Sequence, residues 1–255
     1  MPTHTNPVSI IMPAYNTEDK ILDILVKVDQ IFGENSRDYE VIVVNDGSED
    51  RTEQVVRSCV RLNPRVKLIS YRKNVGKGYA LRKGFAEASE DIVIFLDSDS
   101  DIDADQIKTH AKALEQYDMV IASKRHPYSE HRAPVMRKVL SASFNILVKI
   151  LIGIRYSDTQ AGLKAFRKKA LEKIVKMGLV KRYSFDVELL ALASLVKLRV
   201  LEAPVKVCQS AGFSLKSIMY MMIDLMGIFY RLRVIKWYQR NLNKKYVHYK
   251  PIIPT

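Results

Sequence analysis

The sequence predicts an α/β fold in which a mostly parallel central sheet is flanked by helices. Short runs rich in Val and Ile alternate along the first half of the chain with longer segments of helical spacing. Strands that alternate with helices form parallel sheets covered on both faces. An apolar fraction of 47% over 255 residues is sufficient for a buried core. With no internal repeat or linker in the sequence, we expect one domain with a C-terminal extension.

The first half contains five predicted strands, each an apolar run bounded by polar turns: 8–14, 40–46, 66–71, 91–97 and 118–124. Helical segments lie between them, at 18–32, 50–62, 76–89 and 104–116. In open parallel sheets, ligands bind at the carboxyl ends of the strands. Asn45-Asp46, Asp97 and Lys124-Arg125 all fall at such ends. We therefore expect these polar groups to converge on one site.

The second half is more helical. A long apolar helix is predicted at 135–152, followed by helices at 168–177 and 186–197, a strand at 199–207 and a final helix at 214–240. These changes in character place the domain at 1–213, with halves 1–125 and 126–213, and the extension at 214–255.

The chain is strongly basic, with a formal net charge of +13. Such an excess favours a polyanionic partner: nucleic acid, a nucleotide diphosphate or an anionic membrane surface. Nucleic acid is disfavoured because no helix-turn-helix, zinc or RNA-binding aromatic motif is present and acids line the predicted cleft. The two cysteines fit a reducing compartment. Without a signal-peptide pattern or an apolar run of about 18 residues, we expect a cytoplasmic protein.

An acidic cluster follows the fourth predicted strand: Asp97, Asp99, Asp101, Asp103 and Asp105. Clustered carboxylates need a counter-charge, a metal ion or full solvation. A calcium loop is excluded because Ile102 and Lys108 occupy its glycine and closing glutamate positions. A capped helix start explains a lone acidic loop. At the carboxyl end of a buried strand, however, the pattern favours a divalent-metal site that holds a diphosphate.

Several motifs together resemble glycosyltransferase family 2. They are PAYN (13–16), VVNDGSEDRT (43–52), NVGKGYALRKG (74–84), DSD (97–99) and ASKR (122–125). The resemblance implies a Rossmann-like GT-A fold with C-terminal amphipathic helices, and inverting transfer of a sugar from a nucleotide diphosphate. SDTQAGLKAF (157–166) and KRYSFDVELL (181–190) are similar to dolichyl-phosphate glucosyltransferases and, less closely, to dolichyl-phosphate mannose synthases.

The resemblance also implies a donor site. Its nucleotide-binding residues would be Pro13, Tyr15, Asp46, Lys77, Asp97 and Ser98. Asp99 would act in catalysis as a ligand of Mg2+ or Mn2+, with Asp101 as the second ligand. Asn45 and Thr17 depart from the family pattern, which commonly has Asp and Glu there. UDP-glucose and GDP-mannose therefore both remain open as donors, with UDP-glucose the better motif match.

The acceptor implied by the resemblance is a polyprenyl or dolichyl phosphate. A phosphate monoester has a second pKa near 6, so it is already nucleophilic and needs cations rather than a base. Arg125, Arg132, Arg137 and Lys138 would supply them, Arg125 also acting in catalysis. Asp158 is expected to be an orienting or base-like carboxylate. Transfer to a glycan hydroxyl is the alternative, although Q-x-x-R-W, the motif of processive synthases, is absent around Trp237.

The C-terminal region is basic and amphipathic. From residue 205 onward there are nine Lys or Arg residues and one acid. Within 214–240 the polar positions form one narrow stripe, made of Lys216, Tyr220, Asp224, Gly227 and Arg231. Trp237 and Tyr238 are interleaved with cations, as at a membrane interface. We expect a peripheral protein on the cytoplasmic face of a membrane; a homo-oligomer that buries the apolar surface is the alternative.

Overall fold

A computed structural model describes residues 7–32, 39–98, 101–102, 105–208 and 215–242. The strands are β1 (Val8–Ala14), β2 (Tyr39–Asp46), β3 (Val66–Tyr71), β4 (Ile92–Leu96), β5 (Asp101–Ile102), β6 (Met119–Ser123), β7 (Glu130–Arg132), β8 (Leu163–Arg167), β9 (Val200–Pro204) and β10 (Lys206–Cys208). The α-helices are α1 (Ile21–Phe32), α2 (Thr52–Leu62), α3 (Lys77–Glu87), α4 (Asp105–Ala113), α5 (Val135–Ile152), α6 (Lys168–Val175), α7 (Phe185–Leu195), α8 (Leu215–Phe229) and α9 (Trp237–Asn241). A π-helical turn, Tyr230–Val234, joins α8 to α9.

Seven of the described strands form the central sheet, in the order β3-β2-β1-β4-β8-β6-β9. Neighbouring strands are parallel except at β8, which runs antiparallel to both β4 and β6. A smaller sheet has the order β5-β10-β7. The predicted α/β fold with a mostly parallel sheet is confirmed.

The core lies on both faces of the central sheet. On one face, α1 packs Ile24, Leu25 and Val28 against β1 and β2. On the other face, α7 is buried along almost its whole length and packs with α3, α6 and α8. Every residue of β2 is buried, which explains why its residues 41–44 form a continuous apolar run and do not alternate with polar residues.

Three short strands were not predicted: β5, β7 and β8. The sequence GLKAF around β8 has a glycine at its start and a lysine, Lys164, inside it, so it lacks the apolar run of a central strand. The predicted strand 199–207 is divided at Val205 into β9 and β10, which belong to different sheets.

The prediction of one continuous helix at 214–240 was wrong. The α-helix ends at Phe229, widens into the π turn and stops at Ile235, and Lys236 adopts a left-handed backbone with φ of 50°. This bend turns Tyr238 inward, where it is fully buried. Tyr238 therefore does not lie at a membrane interface as predicted, and Trp237 is half-buried against the same core.

Candidate active site

The carboxyl ends of β1, β2, β4 and β6 lie at one edge of the central sheet. The first three strands are adjacent and parallel, and β6 has the same direction because two antiparallel pairings separate it from β4. Polar groups that follow these strands, among them Asp46, Asp97 and Lys124, are therefore brought to the same edge, as the sequence predicted.

Asp46 at the end of β2 fixes the entry to α3. Its two carboxylate oxygens accept hydrogen bonds from the backbone N–H groups of Val75 and Gly76, each at 2.8 Å. Gly76 has a φ of 118°, a backbone conformation that side-chain-bearing residues rarely adopt. Burial raises the pKa of Asp46, and the N–H donors counteract part of this effect. Asp46 thus shapes the predicted nucleotide site through the backbone that it holds.

The contacts of Asn45 explain why an asparagine occupies a position where the family commonly has an aspartate. It is 1% exposed and its amide nitrogen lies 3.0 Å from the Ser70 hydroxyl and 3.3 Å from a Glu53 carboxylate oxygen. Its amide oxygen accepts from the N–H of Ser48 at 3.1 Å. An aspartate at this position would lack the N–H donors and place a second negative charge beside Glu53.

Pro13, Tyr15 and Ser98 lie where β1 and β4 end. The Ser98 hydroxyl donates to the Pro13 carbonyl at 2.7 Å, so it joins the ends of the two strands and is itself buried. Tyr15, in contrast, is 44% exposed. The roles of these three residues toward a nucleotide remain predictions.

Lys77, at the first position of α3, lies beside Asp97. The Lys77 ammonium contacts an Asp97 carboxylate oxygen at 2.8 Å and an Asp186 carboxylate oxygen at 3.0 Å. Burial would lower the pKa of Lys77, but the charges of Asp186 and Asp97 outweigh it and raise the pKa above its ordinary value. The lysine is therefore a permanent cation. Sequence reasoning missed Asp186, whose signal was an acid near the start of the KRYSFDVELL helix.

The predicted metal ligands cannot be placed. Asp99 lies outside the described residues, and Asp101 is described only as part of the backbone of β5. Among the described residues, no group of three or more His, Cys, Asp or Glu side chains is close enough to hold a metal ion. Asp97 offers carboxylate oxygens of the kind that hard cations prefer, two residues before Asp99. The metal site remains a prediction.

Asp158 is held in a buried turn at the edge of the site. One carboxylate oxygen contacts the Lys124 ammonium at 2.8 Å, and the other accepts from the N–H of Gln160 at 3.0 Å. Burial would raise the pKa of Asp158, but Lys124 outweighs this effect and the pKa is lowered. Glu202, which sequence reasoning did not single out, accepts from both the N–H and the hydroxyl of Ser157 at 2.7 Å. These contacts favour the orienting role for Asp158 over the base-like role.

Arg125 connects this turn to α5. Its guanidinium donates to the carbonyls of Ser157, at 3.2 Å, and Ser141, at 3.0 Å. Arg132 and Lys138 are exposed near the start of α5, and Arg137 between them is half-buried. The structure thus brings the four predicted acceptor cations to one region, and their binding of phosphate remains a prediction.

Helices α5 and α8 pack together and expose apolar side chains. On α5 these are Val135, Met136, Val139, Ile146 and Ile150, and on α8 and the π turn they are Met219, Ile223, Met226, Tyr230 and Val234, each at least 50% exposed. Two members of the predicted polar stripe, in contrast, contact the domain: Arg182 stacks on the Tyr220 ring at 4.2 Å, and the backbone N–H of Ser184 donates to Asp224. Lys216, at the start of the stripe, is exposed. None of the described helices has the length and apolar character needed to cross a bilayer.

Comparison with known proteins gives consistent results. The sequence profile named Glycosyl transferase family 2 matches residues 9–175. A dolichyl-phosphate beta-glucosyltransferase of Drosophila melanogaster is 31% identical over 93% of this chain and 78% of its own length. The relative of the same name from Homo sapiens is 31% identical over 83% of this chain and 70% of its own length.

Solved structures give the same fold. Glucosyl-3-phosphoglycerate synthase from Mycobacterium tuberculosis, in complex with Mn2+, uridine diphosphate and phosphoglyceric acid, superposes with a TM-score of 0.68 at 19% identity, covering 88% of this chain and 78% of that one. The same enzyme in complex with Mg2+ and uridine diphosphate gives a TM-score of 0.67 at 18% identity. At this level of identity the likeness establishes the GT-A fold alone.

Proposed function

The chain belongs to glycosyltransferase family 2, and from this premise we propose that it transfers glucose from UDP-glucose to a polyprenyl or dolichyl phosphate. The product would be a polyprenyl-phosphate hexose, made on the cytoplasmic face of a membrane. Relatives named dolichyl-phosphate beta-glucosyltransferase, which match 90% of this chain in one case, support the choice of sugar and acceptor.

The donor half of the proposal is supported by the edge of the sheet around Lys77. Breaking the bond between a sugar and a nucleotide diphosphate leaves negative charge on the diphosphate, which a cation and a metal ion stabilise. Lys77 supplies a permanent cation, and Asp99 and Asp101 would hold Mg2+ or Mn2+. Structures of the mycobacterial relative that contain Mn2+ or Mg2+ with uridine diphosphate support this use of a metal.

The acceptor half is supported by the contacts of Asp158. A hydroxyl acceptor would require a general base, whereas Asp158 is ion-paired with Lys124 and 4% exposed. A phosphate acceptor has no such requirement, and the cations Arg125, Arg132, Arg137 and Lys138 suit its charge. The Arg125 contacts to the Asp158 turn and to α5 would keep the acceptor phosphate near the sugar.

The observation that carries the lipid part of the proposal is the apolar surface exposed by α5 and α8. Exposed apolar surfaces of this extent mark sites for a membrane or another protein. Lys216, Arg233 and Arg240 are exposed on the same C-terminal segment, and cations near an anionic bilayer each contribute about 1 kcal/mol. Peripheral attachment at this surface would bring the lipid phosphate to the cations at the start of α5.

The test is a transfer assay with radiolabelled donors and three acceptors. UDP-glucose and GDP-mannose are each incubated with a polyprenyl phosphate, the matching polyprenol and a soluble oligosaccharide, and lipid-extractable label is counted. We expect label only with UDP-glucose and polyprenyl phosphate. Labelling from GDP-mannose alone would reassign the donor, and equal use of polyprenol or the oligosaccharide would reject a phosphate acceptor.

A further inference from the structure

Lys164 is a charged residue in the middle of the central sheet. It lies on β8, directly opposite Phe95 on β4 and Ile121 on β6, and its side chain is 2% exposed. A lysine at such a position is costly because the ammonium loses its hydration. Burial lowers the pKa of Lys164, and the Asp186 carboxylate counteracts part of this effect. A hydrophobic residue would suit the surroundings better, so the charge calls for an explanation outside packing.

Lys164 begins a line of alternating charges that ends at the donor site. Its ammonium lies 2.8 Å from one carboxylate oxygen of Asp186, whose other oxygen lies 3.0 Å from the ammonium of Lys77. Lys77 in turn contacts Asp97 at 2.8 Å. Side-chain exposure is 2% and 6% for Lys164 and Asp186, and 22% and 20% for Lys77 and Asp97. The two inner groups are therefore sealed from water, and the two outer groups face the cleft.

We propose that Lys164 and Asp186 are positioning residues that hold the Lys77 ammonium at the cleft and keep it attractive to the donor diphosphate. The proposal rests on the proposed function. The four side chains Lys164, Asp186, Lys77 and Asp97 together carry no net charge. If Lys164 were neutral, the other three side chains would carry one net negative charge, which would repel the diphosphate at the cleft. Asp186 in turn fixes where the Lys77 ammonium lies, through an oxygen that the amide of an asparagine would also provide.

This charge balance makes an unusual prediction for paired substitutions. Lys164→Met removes the inner cation and leaves one net negative charge on the other three side chains, so the Kd for UDP should rise at least tenfold. Lys164→Met combined with Asp186→Asn leaves Lys77 paired with Asp97 and restores the zero net charge of the wild type. The double variant should therefore bind UDP more tightly than the Lys164→Met variant, to within about threefold of the wild type.

The measurement is calorimetric titration of the full chain with UDP in the presence of Mn2+, with GDP as the probe if UDP does not bind. The Lys176→Met variant removes an exposed cation that directly follows α6 and should leave the Kd unchanged. Steady-state kinetics should show the Lys164→Met effect in the KM of the donor and not in that of the acceptor. If Lys164→Met alone does not fold, the double variant, which buries no unpaired charge, still gives the Kd.

Two results would overturn the proposal. One is a folded double variant that binds UDP as poorly as, or worse than, the Lys164→Met variant, because a purely structural role predicts losses that add. The other is a folded Lys164→Met variant with the wild-type Kd. Failure of the proposed function is a separate outcome: a wild type that binds UDP but labels no lipid phosphate leaves this test intact.

Discussion

Tyr238 is the residue on which the structure departs most from the sequence-based expectation, and its substitution is the most informative test. Its hydroxyl donates to a carboxylate oxygen of Glu188 and accepts from the Arg231 guanidinium at 2.8 Å. Both Tyr238 and Glu188 are fully buried. The other carboxylate oxygen of Glu188 accepts from the N–H groups of Leu179, at 2.9 Å, and Val180, at 2.8 Å. Tyr238 thus joins the C-terminal segment to the centre of the domain.

Tyr238→Phe keeps the ring and removes only the hydroxyl. Hydrogen bonds to charged groups each contribute about 1.5–3 kcal/mol, and a buried carboxylate that loses its donor adds a desolvation cost. The remaining contact from Arg231 to Glu188 is 3.6 Å and replaces little of this. We expect the free energy of unfolding to fall by about 3 kcal/mol, which for a chain of this size lowers the Tm by about 6–12 °C.

The matched control is Tyr230→Phe, because Tyr230 lies eight residues earlier on the same segment and is 53% exposed. Surface changes of this kind stay within about 0.5 kcal/mol. Urea titrations of both variants would give the free energy of unfolding and the slope. A loss below 1 kcal/mol for Tyr238→Phe, or equal losses for both variants, would refute the inference that this hydroxyl holds the segment in place.

Four further outcomes are expected. Burial lowers the pKa of His110 to about 4 in the folded chain. Because the pKa in the unfolded chain is near 6.5, the unfolded state binds a proton first as the pH falls. The free energy of unfolding should therefore decrease by about 3 kcal/mol as the pH drops from about 6.5 to about 4. His110→Gln should flatten this dependence in urea titrations. Asp99→Asn and EDTA should each abolish sugar transfer, and Mn2+ should restore the activity of the EDTA-treated enzyme. Full activity in the presence of chelator would reject the proposed metal dependence. Arg137→Ala should raise the KM for polyprenyl phosphate more than the KM for the donor; equal changes would place Arg137 outside the acceptor site. Met226→Asp should reduce co-sedimentation of the protein with anionic liposomes, whereas the control Leu62→Asp on α2 should not. If the wild type instead stays in the supernatant as a stable oligomer, the apolar surface is a subunit interface.

The parts of the fold that could be predicted are those whose buried residues form a recognisable pattern within a short stretch of sequence. Helix α5 has the predicted bounds, and β1 and β3 agree residue for residue, because continuous apolar runs and their polar boundaries identify buried strands and helices without reference to distant residues. The convergence of Asp46 and Asp97 followed from the general geometry of parallel sheets. These inferences needed only short-range patterns.

The parts that escaped prediction depend on partners far away in the sequence. Lys164 interrupts the apolar pattern of β8, and its partner Asp186 lies 22 residues later on another element. The same holds for Glu188 and Tyr238, which are 50 residues apart. A charge in a buried strand makes the strand unrecognisable from periodicity, and only the tertiary structure supplies the counter-charge that makes its burial tolerable.

The orientation of the C-terminal helix connects the donor and lipid sides of the proposal. In a helix packed at an aqueous surface the polar stripe faces outward, yet here Tyr220, Asp224 and Arg231 face the domain while Met219 and Ile223 face out. The inward polar contacts include a hydrogen bond from the Ser184 hydroxyl to the carbonyl of Met221 at 3.0 Å. Ser184 directly precedes α7, the helix that carries both Asp186 and Glu188. The helix proposed to contact the bilayer is therefore hydrogen-bonded to Ser184, two residues before the carboxylate that contacts Lys77. Attachment to the lipid surface and the position of the donor cation thus depend on the same two packed helices, α7 and α8.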